Sequence, residues 1–431
     1  MTRSLRISIF ILLLSLAGAP IMAMGQAPID PGTNFDDDNR FNTGSVCNPC
    51  QDNVEDTLID DAPQESESKQ SKSKIVRIPP GTVVVEAKDV PNPFAVTEVR
   101  VPEGVERIAD GAFANCSSLQ RIELPQSLKE IGDAAFEGCS ALKQISIPQR
   151  VEKIGKNAFG LDCSAALEVD PKNANFSSDS GVLFDKSQRT LLRFPRSSAI
   201  RRYTVPKTVK TIGHGAFSKC VSLLSVELPI GVKEVSDCAF QECESLVRAS
   251  IPSSVERIGV EAFWRCSALT NVELPASVTR IEERAFLGCS ALRSVVMPSS
   301  VQFIGAGAFW NCDSLQYVVL SKGIKKIGEG TFAYCASLRS VVVPEGVEAI
   351  DASAFAYCEK LNSVTLPASV KAIDNFAFDG SPVKLRVAQG SYAERWAQEH
   401  KINYGRIAPT YAQPRARRNV FYSAPVLRRR R

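Results

Sequence analysis

The chain has 431 residues, a formal net charge of +4 and 44% hydrophobic residues. A balance so near neutrality excludes a nucleic-acid binder held by bulk charge. Only two histidines occur, His214 and His400, which weighs against acid–base, metal or triad chemistry; no enzyme, catalytic residue, cofactor or metal is expected.

Residues 1–27 read as a signal peptide. Arg3 and Arg6 precede the apolar run Ile7 to Leu16, and small residues such as Ala19, Ala23 and Ala27 follow. The alternative is an uncleaved N-terminal anchor, since no charge falls between Ile7 and Met24. Nothing later is long and apolar enough to span a bilayer. The mature product is therefore expected to be secreted or at the cell surface, without a transmembrane helix.

Residues 28–74 form an expected disordered acidic linker. Asp30 to Glu67 holds eleven acidic residues and one base, Arg40, and too little apolar surface to order itself. Its Cys47-Asn-Pro-Cys50 has no second CxxC, so a local disulfide or idle thiols is the plain reading. Residues 75–101, with the broken β-branched runs Ile75–Ile78 and Thr82–Val85, suit an N-terminal cap.

A 23-residue period then takes over. It is marked by Phe113, Phe136, Phe159, Phe217, Phe240, Phe263, Phe286, Phe309, Phe332, Phe355 and Phe378, with one step of 58. Such a period means a solenoid, here over 102–405. Within one coil, Asn271 to Leu274 alternates as a half-buried strand, and Pro275 ends it. Val278 and Ile281 return to the core. Ala285-Phe286 to Cys289 is expected to be a turn of helix or 3₁₀ helix.

Ten cysteines recur in one column from Cys116 to Cys358. Their inward side chains stack at about the strand separation of ~4.8 Å, which is too long for a disulfide, so buried free thiols are expected. Cys238 lies outside that column and is expected to be exposed. The long step contains Val182–Phe184 and Thr190–Phe194 around polar Asp185 to Arg189, a predicted β-hairpin. Ser391 and Glu394 form a capping box for a helix over 391–401, with Tyr392, Trp396 and His400 on one face. Residues 406–431, with eight arginines and no acid, are an expected disordered Arg-rich tail.

The pattern Leu-x-x-Val-x-Leu-Pro-x-Ser-Val-x-x-Ile-Gly-x-x-Ala-Phe-x-x-Cys-Ser, seen in Leu246 to Ser267 and Leu269 to Ser290, resembles the BspA-like leucine-rich repeat family. The stretch Val169 to Phe184 resembles its longer coil, and Gly390 to Ala397 its C-terminal cap. The resemblance covers roughly Ile75 to Tyr404. It implies a β-rich α/β solenoid of about eleven 23-residue coils, one longer coil with a β-hairpin, and a C-terminal helical cap. It also implies a secreted or cell-surface protein that binds host proteins, partner cells or matrix and has no catalytic site.

Binding in a solenoid falls to outward columns. One strand column holds Glu123, Glu227 and Glu273, then Val296, Val319 and Val342, with Tyr317 beside Val319. An apolar patch of this kind marks an interaction surface, here for an extracellular or surface protein in an adhesion role. A possible secondary patch is Trp264, Trp310, Tyr334 and Tyr357 on the turn edge; the plainer reading is packing against the next coil. His214 suits a solvated turn. The alternative function is an envelope-associated spacer retained by the Arg-rich tail on an anionic polymer or lipid.

Overall fold

The computed structural model describes residues 74–407, all within one compact unit, Ser71–Arg431. The expected signal peptide, nearly all of the acidic linker and the Arg-rich tail beyond residue 407 lie outside the described residues. Lys74, assigned above to the linker, already belongs to the first strand, Lys74–Arg77.

Most coils add a rung to two parallel ladders; the expected strand Asn271 to Leu274 does not form, and the first ladder is interrupted there between Arg248–Ser250 and Ser294–Val296. In the first, Ser225–Glu227 pairs with Arg248–Ser250 in strict register, Val226 opposite Ala249. In the second, two-residue strands such as Arg257–Ile258 and Arg280–Ile281 pair likewise. Alternation decides the facing: Val226 and Ile258 point into the core, while Glu227 points outward. The solenoid makes about 14 turns, more than the expected eleven coils. The Phe column undercounts because the terminal strands Lys74–Arg77, Lys384–Val387 and Tyr404–Arg406 extend the ladder without carrying that Phe.

The turn after the second ladder is not helical, and this corrects the sequence expectation. In most coils two residues, two before and two after the core Phe, hold positive φ: Arg284 at 52° and Gly288 at 73° flank Phe286. Left-handed residues break a helix at both ends. Alternate amides there reach the next coil, Arg284 N–H donating to Ala306 O, Phe286 N–H to Ala308 O and Gly288 N–H to Trp310 O at 2.8–3.0 Å, while Leu287 N–H and Cys289 N–H close single turns onto Arg284 O and Phe286 O. The turn column is thus a third hydrogen-bonded ladder.

The core Phe rings stack along its inside, Phe263 and Phe286 at 5.2 Å and 3°. Phe194 belongs to this stack, 5.1 Å from Phe217, so the step of 58 divides at Phe194. The longer coil holds the predicted hairpin, Val182–Asp185 against Thr190–Arg193, and a further antiparallel strand, Phe176–Asp179. Buried Arg193 stitches it to the neighbouring coils, donating to the carbonyls of Leu161, Cys163 and Gly215. At the other end, helix Tyr392–Glu399 forms with Ser391 Oγ accepting from Glu394 N–H. Its buried face is Ala393, Glu394, Trp396 and Ala397, and His400 is exposed at the C-cap. The helix does not end the ladder, because Tyr404–Arg406 follows it and pairs with Lys384–Val387.

The ten column cysteines are free and buried. Seven donate S–H to the carbonyl of the preceding coil's Phe at 3.0–3.3 Å, as Cys289 does to Phe263. Ser381 takes the same place one coil after Cys358 and donates to Phe355 O at 2.7 Å. Cys238 is buried rather than exposed, and it is disulfide-bonded. Its backbone fills the left-handed position two before Phe240, with φ 55°, a conformation that leaves Asn157 and Arg284 exposed at the same place in other coils.

Burial pushes the Cys266, Cys312 and Cys335 thiols well above their ordinary value of 9.0, and Cys358 up to about 12. The unfolded chain therefore ionises first. The stability carried by the neutral thiols is complete below pH 9 and is lost as pH rises toward 12, at about 1.4 kcal/mol per thiol per pH unit. Denaturation midpoints should fall steeply above pH 9. Cys312→Ser/Cys335→Ser, which keeps a donor but removes two ionising groups, should make that fall shallower; an unchanged slope would refute the assignment.

Candidate binding surface

The outward positions of the first ladder change character along the solenoid. In the first coils they are occupied with one another: Arg100 pairs with Glu98 and Arg121 with Glu123, each at 2.8 Å. Further on, Val296, Tyr317 and Val342 are 56%, 55% and 67% exposed, and Val319 is half-buried. The register explains the difference. Val296 is the Cα partner of Val319, and Val342 follows in the same column, so Val319 is shielded on both sides. Tyr317 is the partner of Ser294, and with Ser340 on its other side only small neighbours flank the ring.

The turn-edge aromatics do not form one patch. Trp310, Tyr334 and Tyr357 stack in series at 5.6 and 4.9 Å. Trp264 stands apart, under the Arg265 guanidinium at 5.0 Å. Tyr334 and Tyr357 occupy the left-handed position two after the core Phe, at φ 59° and 54°. Asn115, Asn311, Gly138 and Gly288 hold that position elsewhere, and a bulky residue there costs roughly 1–2 kcal/mol. The stack offsets that cost, since each aromatic pair contributes about 0.5–1.5 kcal/mol beyond area burial. The rings also cover the next turn: Cβ atoms at Gly330 and Gly380 would lie 2.6 Å from the Trp310 and Tyr357 rings. Tyr357 Oη donates to Asp379 Oδ2 at 3.1 Å. Ring faces are therefore used in packing.

Other candidates are placed plainly. His214 is half-buried, and burial lowers its pKa. His400 stacks on Trp396 at 4.4 Å. Among the described residues no group of three or more His, Cys, Asp or Glu could hold a metal ion, and no helix is long and apolar enough to cross a membrane. A shallow depression of about 420 Å³, lined by Arg339, Glu359, Lys360, Asn362 and Pro382, borders the strand face. Sequence reading missed it, because its residues come from three coils and share no motif.

The sequence profile of the BspA type leucine rich repeat region matches residues 92–197, 193–302 and 256–384. The chain belongs to this family. It is similar to a leucine rich cell surface protein from Faecalibacterium prausnitzii, at 30% identity over 70% of this chain and 81% of that one, with a TM-score of 0.46. It is also similar to a leucine-rich repeat protein from Bacteroides ovatus, at 25% identity over 82% of this chain and all of that one, with a TM-score of 0.49. No curated protein matches the chain.

Within this BspA-type solenoid, the edge aromatics have a testable structural role. Gly330→Ala forces a Cβ against the Trp310 ring at a left-handed position (φ 57°). It should destabilise by about 1–3 kcal/mol and shift the tryptophan emission. In a Trp310→Ala background the penalty should shrink; equal penalties in a double-mutant cycle would show that the contact is not formed.

Proposed function

We propose that the chain is an exported, non-enzymatic binding scaffold whose strand face, at Val296, Tyr317, Val319 and Val342, takes a protein partner in an adhesion role. The observation that carries this reading is the exposure of Val296, Tyr317 and Val342 by more than half on three successive strands, the first two hydrogen-bonded to each other and the third to the strand after it. Exposed apolar groups gathered in one place mark interaction sites, whereas scattered ones need no explanation. Rigid strands lower the entropic cost of binding. Membership of the family supports a binding role, and the cell-surface description of the Faecalibacterium prausnitzii protein supports a surface location.

The test is capture from candidate surface-protein preparations by the full chain, run at low and high salt beside Tyr317→Ala/Val342→Glu. Capture should survive salt, because apolar burial is weakly screened, and drop roughly tenfold or more in the variant. Capture that is salt-sensitive and indifferent to the variant would count against the strand face and favour retention through the Arg-rich tail.

A further inference from the structure

The C-terminal strand face carries an uncompensated charge around its apolar column. Across positions 293–296, 316–319, 339–342, 362–365 and 384–386 there are four cations, Arg293, Arg339, Lys384 and Arg386, all exposed, and no carboxylate. None of the four has a carboxylate within ion-pair distance among the described residues. On the other strand ladder, by contrast, lysines are matched from coil to coil: Lys129 with Glu106, Lys233 with Glu256 and Lys371 with Glu348, at 2.8–2.9 Å.

The placement is regular. Gln316 N–H donates to Arg293 O and Asn362 N–H to Arg339 O, at 2.9 and 3.0 Å. Arg293 and Arg339 thus stand in one column two coils apart, about 10 Å at the parallel-strand spacing. On the far side, Lys384 and Arg386 are the Cα partners of Ser363 and Thr365, two strands beyond Val342. The apolar column thus has Arg293 and Arg339 along one edge and Lys384 and Arg386 beyond its C-terminal end, with Glu273 bordering Val296 at the other end. The adjoining depression adds Lys360 and Asn362 beside Arg339. Its one carboxylate, Glu359, and Asp313 sit on the turns that lead into the strands rather than on the face. The Asp313 carboxyl is raised by burial and by Glu359.

We propose that this face binds an acidic, extended polypeptide segment, whose carboxylates meet Arg293, Arg339, Lys384 and Arg386 while its apolar side chains cover Val296, Val319, Val342 and Tyr317. The inference rests on the strand-face reading above and names its partner class. Charge complementarity selects the sign of the partner. The valine column selects a polypeptide over an acidic polysaccharide, which would leave it uncovered. The face spans four strand steps, about 19 Å, which an extended chain crosses in roughly six residues.

The experiment is fluorescence anisotropy on the full chain at near-physiological salt. The probe is a labelled peptide of about twelve residues, twice that span, with Glu alternating with Val; Lys–Val and Glu–Ser peptides serve as controls. The Glu–Val peptide should bind, and the two controls at least roughly tenfold more weakly. Arg339→Glu/Arg386→Glu should weaken Glu–Val binding roughly tenfold, and Tyr317→Ala/Val342→Ser several-fold, both with unchanged melting curves since all four side chains are exposed. Binding unaffected by either variant would place the peptide elsewhere, the Arg-rich tail included, and overturn the proposal. Equal binding of the Lys–Val peptide, lost in Tyr317→Ala/Val342→Ser, would keep the strand face as a binding site but remove the acidic class. Equal binding of Glu–Ser or of a sulfated polysaccharide, lost in the charge-reversal variant, would replace the polypeptide with a general polyanion.

Discussion

The backbone hydrogen bond between one coil and the next is the constraint on which the structure depends. Buried amides and carbonyls must be paired, and in this chain the partners lie one coil away. Gly305 N–H reaches Ile281 O at 2.8 Å and Phe286 N–H reaches Ala308 O at 2.8 Å, so the strand ladder and the turn ladder share one period. An extra residue in a coil would move one ladder relative to the other and strand a row of polar groups. Between Phe113 and Phe378 the core phenylalanines leave their period at one place, and there the chain needs a three-stranded antiparallel meander and a buried guanidinium. Arg193 supplies donors for carbonyls of Leu161, Cys163 and Gly215 that the interrupted ladder leaves available.

Several recurring side chains serve that backbone rather than the core alone. Cysteine in the Phe-x-x-Cys column is a small apolar residue with one weak donor, and the donor meets the Phe carbonyl of the coil before. Ser381, exchanging sulfur for oxygen, makes the same bond, so the donor matters beyond the packing. The serine of the Pro-x-Ser-Val turn acts in kind: Ser254 Oγ donates to Val232 O at 2.7 Å and accepts from Gly231 N–H at 2.9 Å. A repeat of this kind is a set of solutions to unpaired peptide groups, laid over a column of stacked rings.

The period, the inward Phe and Cys columns, most strand positions and the hairpin were legible because each depends on residue type at fixed spacing; Asn271 to Leu274 alternates in the same way yet forms no strand. The left-handed turn residues were not. Lys219, Glu242, Arg265 and Tyr334 hold positive φ without being glycine or asparagine, because the inter-coil hydrogen bonds impose a conformation that local preference does not signal. Phe194 was hidden since the coil before it has no fixed length. The burial of Cys238 was missed because the same turn position is exposed at Asn157 and Arg284, and its covalent bond is what sets it apart. At the candidate surface, exposure could be read from alternation. The shielding of Val319 by Val296 and Val342 needed the register, and the unmatched state of Arg339 and Arg386 needed the positions of every nearby carboxylate.

This division of labour bears on how the molecule recognises a partner. Core columns and turn columns are tied to the ladders, so changing them changes the fold. The outward strand positions contribute little to any ladder beyond their backbone. They can pass from the ion pairs Arg100–Glu98 and Arg121–Glu123 to valines and unmatched cations without disturbing a coil. Exposed pairs of the first kind are worth about 0–1 kcal/mol, so giving them up costs little stability. A cation left without a carboxylate on a rigid strand keeps its pairing capacity for a partner, and a neighbouring valine keeps its apolar area. Strand spacing then acts as a ruler: side chains are offered at steps of about 4.8 Å on a frame that need not order itself on contact, so the interaction energy is not spent on ordering the frame.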